Sequence, residues 1–189
     1  MKDALKERGR ALENEFFDKE NRHVLERLRA AHEHDEQLTA LASACGLDDA
    51  TLLEHLIENG VRAENIAALS LVPLVLVAWA DREVAWNERK VILQAAADHA
   101  IEPGSAPYEL LERWLSERPK RTLALAWGEY VKLLSGRLGA EEREGFAESI
   151  MRRAREVSEA AGGILGIGPA TSAEERAVLD RLAQSFVPD

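Results

Sequence analysis

Acidic side chains are concentrated where an apolar stretch of the chain passes into a new helix. Residues 77–93 read VAWADREVAWNERKVIL, with Asp81, Glu83 and Glu88 around the turn. Carboxylates at such a corner have three ordinary uses: they bind a divalent cation, they cap the following helix, or they face water. The spacing of these residues alone leaves all three interpretations open.

A second corner near the end of the chain repeats part of this pattern. NERKVIL at 87–93 matches EERAVLD at 174–180, and in both the Glu-Arg pair is followed closely by two apolar residues. Each segment is predicted to open a helix after a turn. Glu88 and Glu175 therefore occupy positions where carboxylates interact favourably with the positive end of the helix dipole.

Capping explains part of the pattern without any bound ligand. Ser172 and Glu175 have the spacing of a capping box, in which the serine accepts the amide three residues on and the glutamate reaches back. In the first corner the corresponding cap position is Ala85, whose side chain has no acceptor. Asn87 could cap that helix instead, which would leave Glu88 in the first helical turn.

Glycine and proline divide an otherwise helical sequence, and no stretch alternates apolar and polar residues over the length of a strand. We therefore predict an all-α protein of about nine helices, packed as a bundle or an orthogonal array. The predicted helices cover about 3–31, 35–45, 47–60, 65–80, 86–100, 108–117, 120–134, 140–160 and 172–186.

The first predicted helix carries an apolar stripe on a strongly charged surface. Its apolar residues recur at spacings of four, seven or eight: Leu5, Leu12, Phe16, Val24 and Leu28. A single helix cannot bury such a stripe, so we expect it to pack on the rest of the chain, on a second copy or on a protein partner. Phe16 and Phe17 are candidate contact residues on this helix, and Trp86 in the acidic corner is a third.

Composition excludes several classes of partner. The formal net charge is −10, which argues against general nucleic-acid or anionic-membrane binding. The apolar run 66–80 is shorter than the roughly 20 residues that span a bilayer. A single cysteine, Cys45, permits no intrachain disulfide, and the charged N-terminus has no signal-peptide pattern. These features predict a soluble, cytoplasmic protein that is not inserted in a membrane.

Catalytic motifs are absent from the sequence, so we predict a non-enzymatic protein. No Ser, Cys or Lys lies in a nucleophile motif. The glycine-rich stretch 161–171 lacks both a following Lys-Ser/Thr and a preceding strand, which excludes a phosphate-binding loop of the usual kind. His32 and Glu36 are one helical turn apart and could contribute to a metal site with His23 or His55, or simply form a polar surface.

Two long segments, 71–96 and 161–186, together resemble the TerB-like tellurite-resistance family, with the likeness covering about 65–186. The family motif is an apolar helix ending in Ala-Asp-Gly, then a turn, then a helix with an early Glu. Here the motif is Ala80-Asp81-Arg82 followed by Glu88, with arginine in the glycine position. In the second segment two glycines, 162–163, stand where a second Asp-Gly pair would lie.

The TerB resemblance implies an internally pseudo-repeated helical fold, a divalent metal at acidic residues, and a role in stress response. Ca²⁺ takes six to eight oxygen ligands, so the ion (Ca²⁺, Mg²⁺, Mn²⁺ or Zn²⁺) would require both corners to meet in space. The candidate ligands are Asp81, Glu83, Glu88 and Glu175, with Glu174 beside them.

Residues 1–60 are more weakly similar to the helical zeta inhibitor family of bacterial F-type ATP synthases. Phe17, Asp18 and Glu20 echo its Phe-x-x-Asp-x-Glu type of stretch, with Phe17 directly before Asp18. We therefore predict an N-terminal helical extension over 1–60 and a TerB-like domain over 61–189. The predicted function is a non-enzymatic interaction or adaptor module that could respond to a divalent metal, and the alternative is an ATPase inhibitor acting through the N-terminal helices.

Overall fold

The computed structural model describes the backbone of residues 2–162 and 171–186, and the side chains of 19–160 and 171–186. Within these ranges the chain is all-α and contains no strand, which confirms the predicted fold class. Eight α-helices and one 3-10 helix make up the described fold. The α-helices are α1 Lys2–Cys45, α2 Ala50–Glu58, α3 Val72–Ala78, α4 Trp86–Asp98, α5 Ala106–Ser116, α6 Arg121–Ser135, α7 Ala140–Gly162 and α8 Ala173–Gln184, and the 3-10 helix is Ala63–Leu71.

Helix α1 is continuous over 44 residues, so the prediction of two separate helices at 3–31 and 35–45 is wrong. The residues between them, His32-Glu33-His34, include no glycine or proline, and nothing there interrupts the backbone hydrogen bonds. The helix ends where the sequence predicts, because Gly46 has a φ of +65° and closes it. At 1.5 Å per residue, α1 is roughly 65 Å long.

The apolar segment predicted as one helix over 65–80 is divided in two. A 3-10 helix runs to Leu71 and α3 begins at Val72. Pro73 explains the break, because its ring has no N–H to donate and would clash with the carbonyl four residues earlier in a continuous α-helix. Proline is well tolerated in the first turn of a new helix, and Pro73 lies there in α3.

One hydrophobic cluster extends from Leu41 near the end of α1 to Phe186 after α8. Helix α2 contributes Leu52 and Leu56, which are fully buried, so residues on both sides of position 60 belong to this cluster. At the other end of the cluster, Phe186 makes edge-to-face ring contacts with Trp127 and with Phe146.

Two tryptophans connect the C-terminal ends of three helices. Trp79, which follows α3, donates from Nε1 to the Trp114 carbonyl of α5 at 2.7 Å. Trp114 in turn donates from Nε1 to the Asn59 carbonyl at the end of α2, at 3.0 Å. Because buried indole N–H groups need an acceptor, this chain of bonds fixes how α2, α3 and α5 meet.

Among the described residues, no single helix is long and apolar enough to cross a membrane. The segments Ala50–Glu58 and Ala63–Ala78 pass that test only when they are taken together, and they are bent by 84° relative to each other.

Candidate functional site: two helix corners

The first corner follows α3 and has a left-handed residue in its turn. Arg82 has a φ of +79°, a conformation that L-residues with side chains rarely adopt. Asp81 accepts a hydrogen bond from the Glu83 backbone N–H at 3.3 Å. Asp81 and Glu83 are both exposed, so two of the four candidate ligands lie at the surface.

Glu88 is different, because it turns inward at the start of α4. Its Oε2 accepts the backbone N–H of Ala85 at 2.7 Å, and the residue is only 2% exposed. Ala85 has no side-chain acceptor, so only one half of a capping box forms there. Asn87 does not cap the helix as the sequence suggested: α4 begins one residue earlier, and the Asn87 amide donates to the Ala160 carbonyl of α7 instead.

The second corner contains the complete capping box that the sequence predicts. Glu175 Oε2 accepts from the Ser172 backbone N–H at 2.6 Å, and Ser172 Oγ accepts from the Glu175 N–H at 3.1 Å. Glu175 is 4% exposed. A further hydrogen bond of 2.9 Å, from Ser158 Oγ to Thr171 Oγ1, connects this corner to α7.

Helix packing links the elements that carry the two corners. Helix α7 packs against both α3 and α4, and α8 packs against both α3 and α7. Burial raises the pKa of Glu88 to about 7, with further increases from the negative charges of Asp81 and Glu175, against the lowering effect of the Ala85 N–H. The effect of the Glu175 charge on Glu88 links the second corner electrostatically to the first.

The corners contribute a pair of buried carboxyl groups, Glu88 and Glu175. Within the described ranges, no three His, Cys, Asp or Glu side chains converge as metal ligands. Glu175 Oε1 is nonetheless buried without a hydrogen-bond partner, and so is Asn87 Oδ1. An unsatisfied buried oxygen is costly, so Glu175 Oε1 is a position where a proton, a water or a hard cation would be stabilised.

The other residues singled out in the sequence lie apart from this pair. Trp86 is 75% exposed, with Lys90 Nζ 5.6 Å from the centre of its ring. Glu174 is exposed beside Glu175. The side chains of Phe16 and Phe17 lie outside the residues whose side chains are described.

The histidine-rich stretch of α1 forms surface pairs with glutamates. His32 Nε2 lies 3.3 Å from Glu36 Oε1, and both side chains are exposed. His34 Nε2 lies 2.8 Å from Glu54 Oε1 of α2. The second pair joins α1 to α2. From this point towards its C-terminus, α1 is partly covered by the rest of the protein.

Before that contact, the described side chains of α1 face solvent. Over residues 19–33 every side chain is exposed except Val24, which is half-buried. Leu25 and Leu28 are large apolar side chains among them. Sequence periodicity identified Leu28 but missed Leu25, because Leu25 lies outside the stripe spacing, and periodicity cannot tell whether a stripe has a partner in its own chain.

Comparisons with known proteins do not add a relative to this description. A scan of protein-family models, a search of curated proteins and a search of solved structures each found no match to the chain. The TerB-like and zeta-inhibitor resemblances therefore stay predictions that depend on the motifs alone.

Proposed function

We propose that this chain is a non-enzymatic helical interaction module whose docking element is the projecting part of α1. The observation that carries the proposal is the exposed run 19–33, which leaves the body of the protein while still presenting Leu25 and Leu28. Helices in proteins gain most of their stability from packing an apolar face against other elements. A helix that extends into solvent with such a face is therefore best explained by a contact with another polypeptide.

Two leucines provide a matched test of this function. Leu28 on projecting α1 is 61% exposed, and Leu125 on α6 of the body is 59% exposed. A photo-reactive amino acid at position 28, in the protein produced in its own host, is expected to give a discrete cross-linked adduct with one protein. The same amino acid at position 125 controls for exposure alone, and position 86 tests the exposed tryptophan. Equal adduct patterns at 28 and 125 would contradict the proposal.

The weaker N-terminal resemblance supplies one specific class of partner. If the partner is an F-type ATP synthase, α1 acts as an inhibitory helix, and purified protein in micromolar excess lowers ATP hydrolysis by that enzyme. An unchanged hydrolysis rate removes the inhibitor alternative and leaves the general interaction module standing.

The carboxyl pair supports a second candidate, a divalent-cation response related to stress. Its specific observation is the unpartnered, buried Glu175 Oε1, together with the burial of Glu88 in the other corner. The positive φ of Arg82 also supports the TerB resemblance, since that family carries glycine at this position and glycine adopts such a φ without strain. Carboxylate oxygens suit Ca²⁺, Mg²⁺ or Mn²⁺ better than Zn²⁺, which prefers nitrogen and sulfur.

Calorimetric titration with each of the four cations tests the second candidate. Binding is expected to strengthen as pH rises through about 7, because Glu88 must lose its proton to coordinate a cation. Asp81→Ala and Glu175→Gln should weaken binding, whereas Glu174→Gln, at an exposed neighbour, should not. The absence of binding heat at pH 8 with millimolar cation would exclude this function.

A further inference from the structure

The charges of α1 follow an alternating pattern along the helix. Residues 2–10 hold four basic and two acidic side chains, and 13–20 hold one basic and four acidic. Residues 22–29 then hold three basic and one acidic, and 33–36 hold three acidic and no Lys or Arg. We call these four segments the charge blocks, and their net signs run plus, minus, plus, minus.

This order of signs selects the orientation in which two copies of α1 can pair. In a parallel pair in register, every block lies beside a block of its own sign. In an antiparallel pair centred near Asn21, block 13–20 lies beside 22–29, and block 2–10 spans 33–36. All four blocks then meet the opposite sign. Charges along the edges of paired helices are known to set partner choice and orientation in this way.

The surroundings of α1 leave room for such a pair. The described side chains of the third block and those of Glu33, Asp35 and Glu36 in the fourth are exposed, except for half-buried Val24. The same register places Leu25 of each helix opposite position 17 of the other, where the chain has Phe17. Apolar contact and charge complementarity therefore favour one alignment.

We propose that this chain associates with a second copy of itself through an antiparallel contact between two α1 helices, centred near Asn21. The proposal rests on the docking role of α1 and specifies its partner. Because the contact is largely electrostatic, high salt weakens it by screening the blocks.

Charge inversion with complementation tests the pairing by sedimentation equilibrium of the full chain. The first variant carries Arg22→Glu, Arg27→Glu and Arg29→Glu. The second carries Glu13→Lys, Glu15→Lys and Glu20→Lys. Each variant alone places like charges beside each other in the antiparallel pair, and we expect its dimer dissociation constant to rise at least about tenfold. An equimolar mixture of the two restores opposite signs on both sides and should form a heterodimer.

A matched control separates the block pattern from net charge. The triple variant Arg118→Glu, Arg152→Glu and Arg155→Glu makes the same charge change at exposed positions on the body. This variant should dimerise as the parent chain does, apart from a general salt-dependent repulsion. Circular dichroism establishes that each variant keeps its helix content, and recovery in the mixture excludes misfolding as the cause of a lost dimer.

Disulfide trapping in a Cys45→Ser background tests the orientation. Asn21→Cys lies at the centre and should cross-link two copies under oxidation. Asp3→Cys should not cross-link. In the antiparallel pair, residue 3 of one helix lies some 36 residues, or roughly 54 Å, from residue 3 of the other. Cross-linking at position 3 means a parallel pair and overturns the proposal.

A parent chain that stays monomeric at all concentrations in low salt, or a mixture that fails to dimerise, overturns the proposal as well. These outcomes are distinguishable from failure of the proposed function. If the adduct at position 28 contains a different protein, α1 docks a partner but not a second copy. If position 28 gives no adduct, the docking role itself is lost.

Discussion

At the scale of single residues, Glu88 makes the stability of the fold depend on pH. Its folded pKa of about 7 lies above the ordinary 4.5 because of burial, with smaller contributions from Asp81 and Glu175. A raised pKa means that the fold favours the protonated carboxyl. The stability that this group contributes is therefore complete below about pH 4.5 and is lost as pH rises through about 7.

Replacing Glu88 with glutamine should remove this loss. Glutamine has no charge to desolvate and keeps an oxygen for the Ala85 N–H. We expect Glu88→Gln to match the parent near pH 4.5 and to exceed it by about 2–3 kcal/mol at pH 8.5, measured by urea unfolding across that range. Glu83→Gln, at an exposed position of the same corner, is the control and should leave the pH profile unchanged. Parallel profiles for Glu88→Gln and the parent would refute the role of burial.

A second residue, Arg82, stores backbone strain in the first corner. A side chain at a φ of +79° destabilises an L-residue by roughly 1–2 kcal/mol, while glycine adopts this angle freely but loses more entropy on folding. We expect Arg82→Gly to raise the free energy of unfolding by about 0.5–1 kcal/mol in thermal or urea denaturation. The neighbouring Glu83→Gly gains no such relief and should destabilise. If both variants destabilise equally, the turn is not strained at Arg82.

At the scale of elements, the end of α2 depends on Gly60 for two reasons. Its φ is +83°, and a Cβ there would lie 2.7 Å from Arg113 Nη2 and 3.3 Å from buried Leu110 Cδ1. Gly104 has a similar φ of +80°, and a Cβ at that position would have no neighbour within 4 Å, so it isolates the backbone effect. We expect Gly104→Ala to destabilise by about 1 kcal/mol and Gly60→Ala by more, as measured by urea unfolding. Equal losses would show that Arg113 and Leu110 move aside without a penalty.

The element boundaries show what the sequence can specify. Gly46 ends α1 and the Ser172–Glu175 box begins α8 where predicted, because each acts within a few residues of itself. The predicted gap in α1 was wrong, since a polar stretch without glycine or proline does not stop a helix. The change to a 3-10 helix before Pro73 depends on packing as well as on local residues.

The candidate site was predictable only in part for the same reason. The repeated Glu-Arg segments identified Glu88 and Glu175 as related positions. The burial of both residues and the effect of Glu175 on the pKa of Glu88 arise from contacts distant in sequence, in which α7 packs against α3, α4 and α8. The bond from Asn87 to the Ala160 carbonyl is of this kind too, and no motif indicates it.

At the scale of the whole molecule, charge separates the projecting helix from the body. Residues 2–33 hold eight basic and eight acidic side chains and are neutral overall, so the net charge of −10 belongs to the remainder. Two bodies therefore repel each other, whereas two projecting helices do not. This distribution favours contact through α1, at a distance from the acidic bodies.

The projecting helix should also be energetically independent of the body. None of the described side chains in 19–33 is buried, and the hydrophobic cluster begins at Leu41. A chain starting at His34 should therefore keep the unfolding free energy of the full chain within about 0.5 kcal/mol, because surface groups away from the core contribute little. Urea unfolding followed by tryptophan fluorescence reports this directly, since the chain's four tryptophans lie between Trp79 and Trp127.

Measuring in about 1 M salt suppresses association of the full chain, which would otherwise add to its apparent stability. Leu41→Ala in the full-length chain serves as the contrasting control and should lower stability by about 2–5 kcal/mol, because Leu41 is fully buried. A loss of that size on removing the segment before His34 would mean that α1 packs along the body over much more of its length.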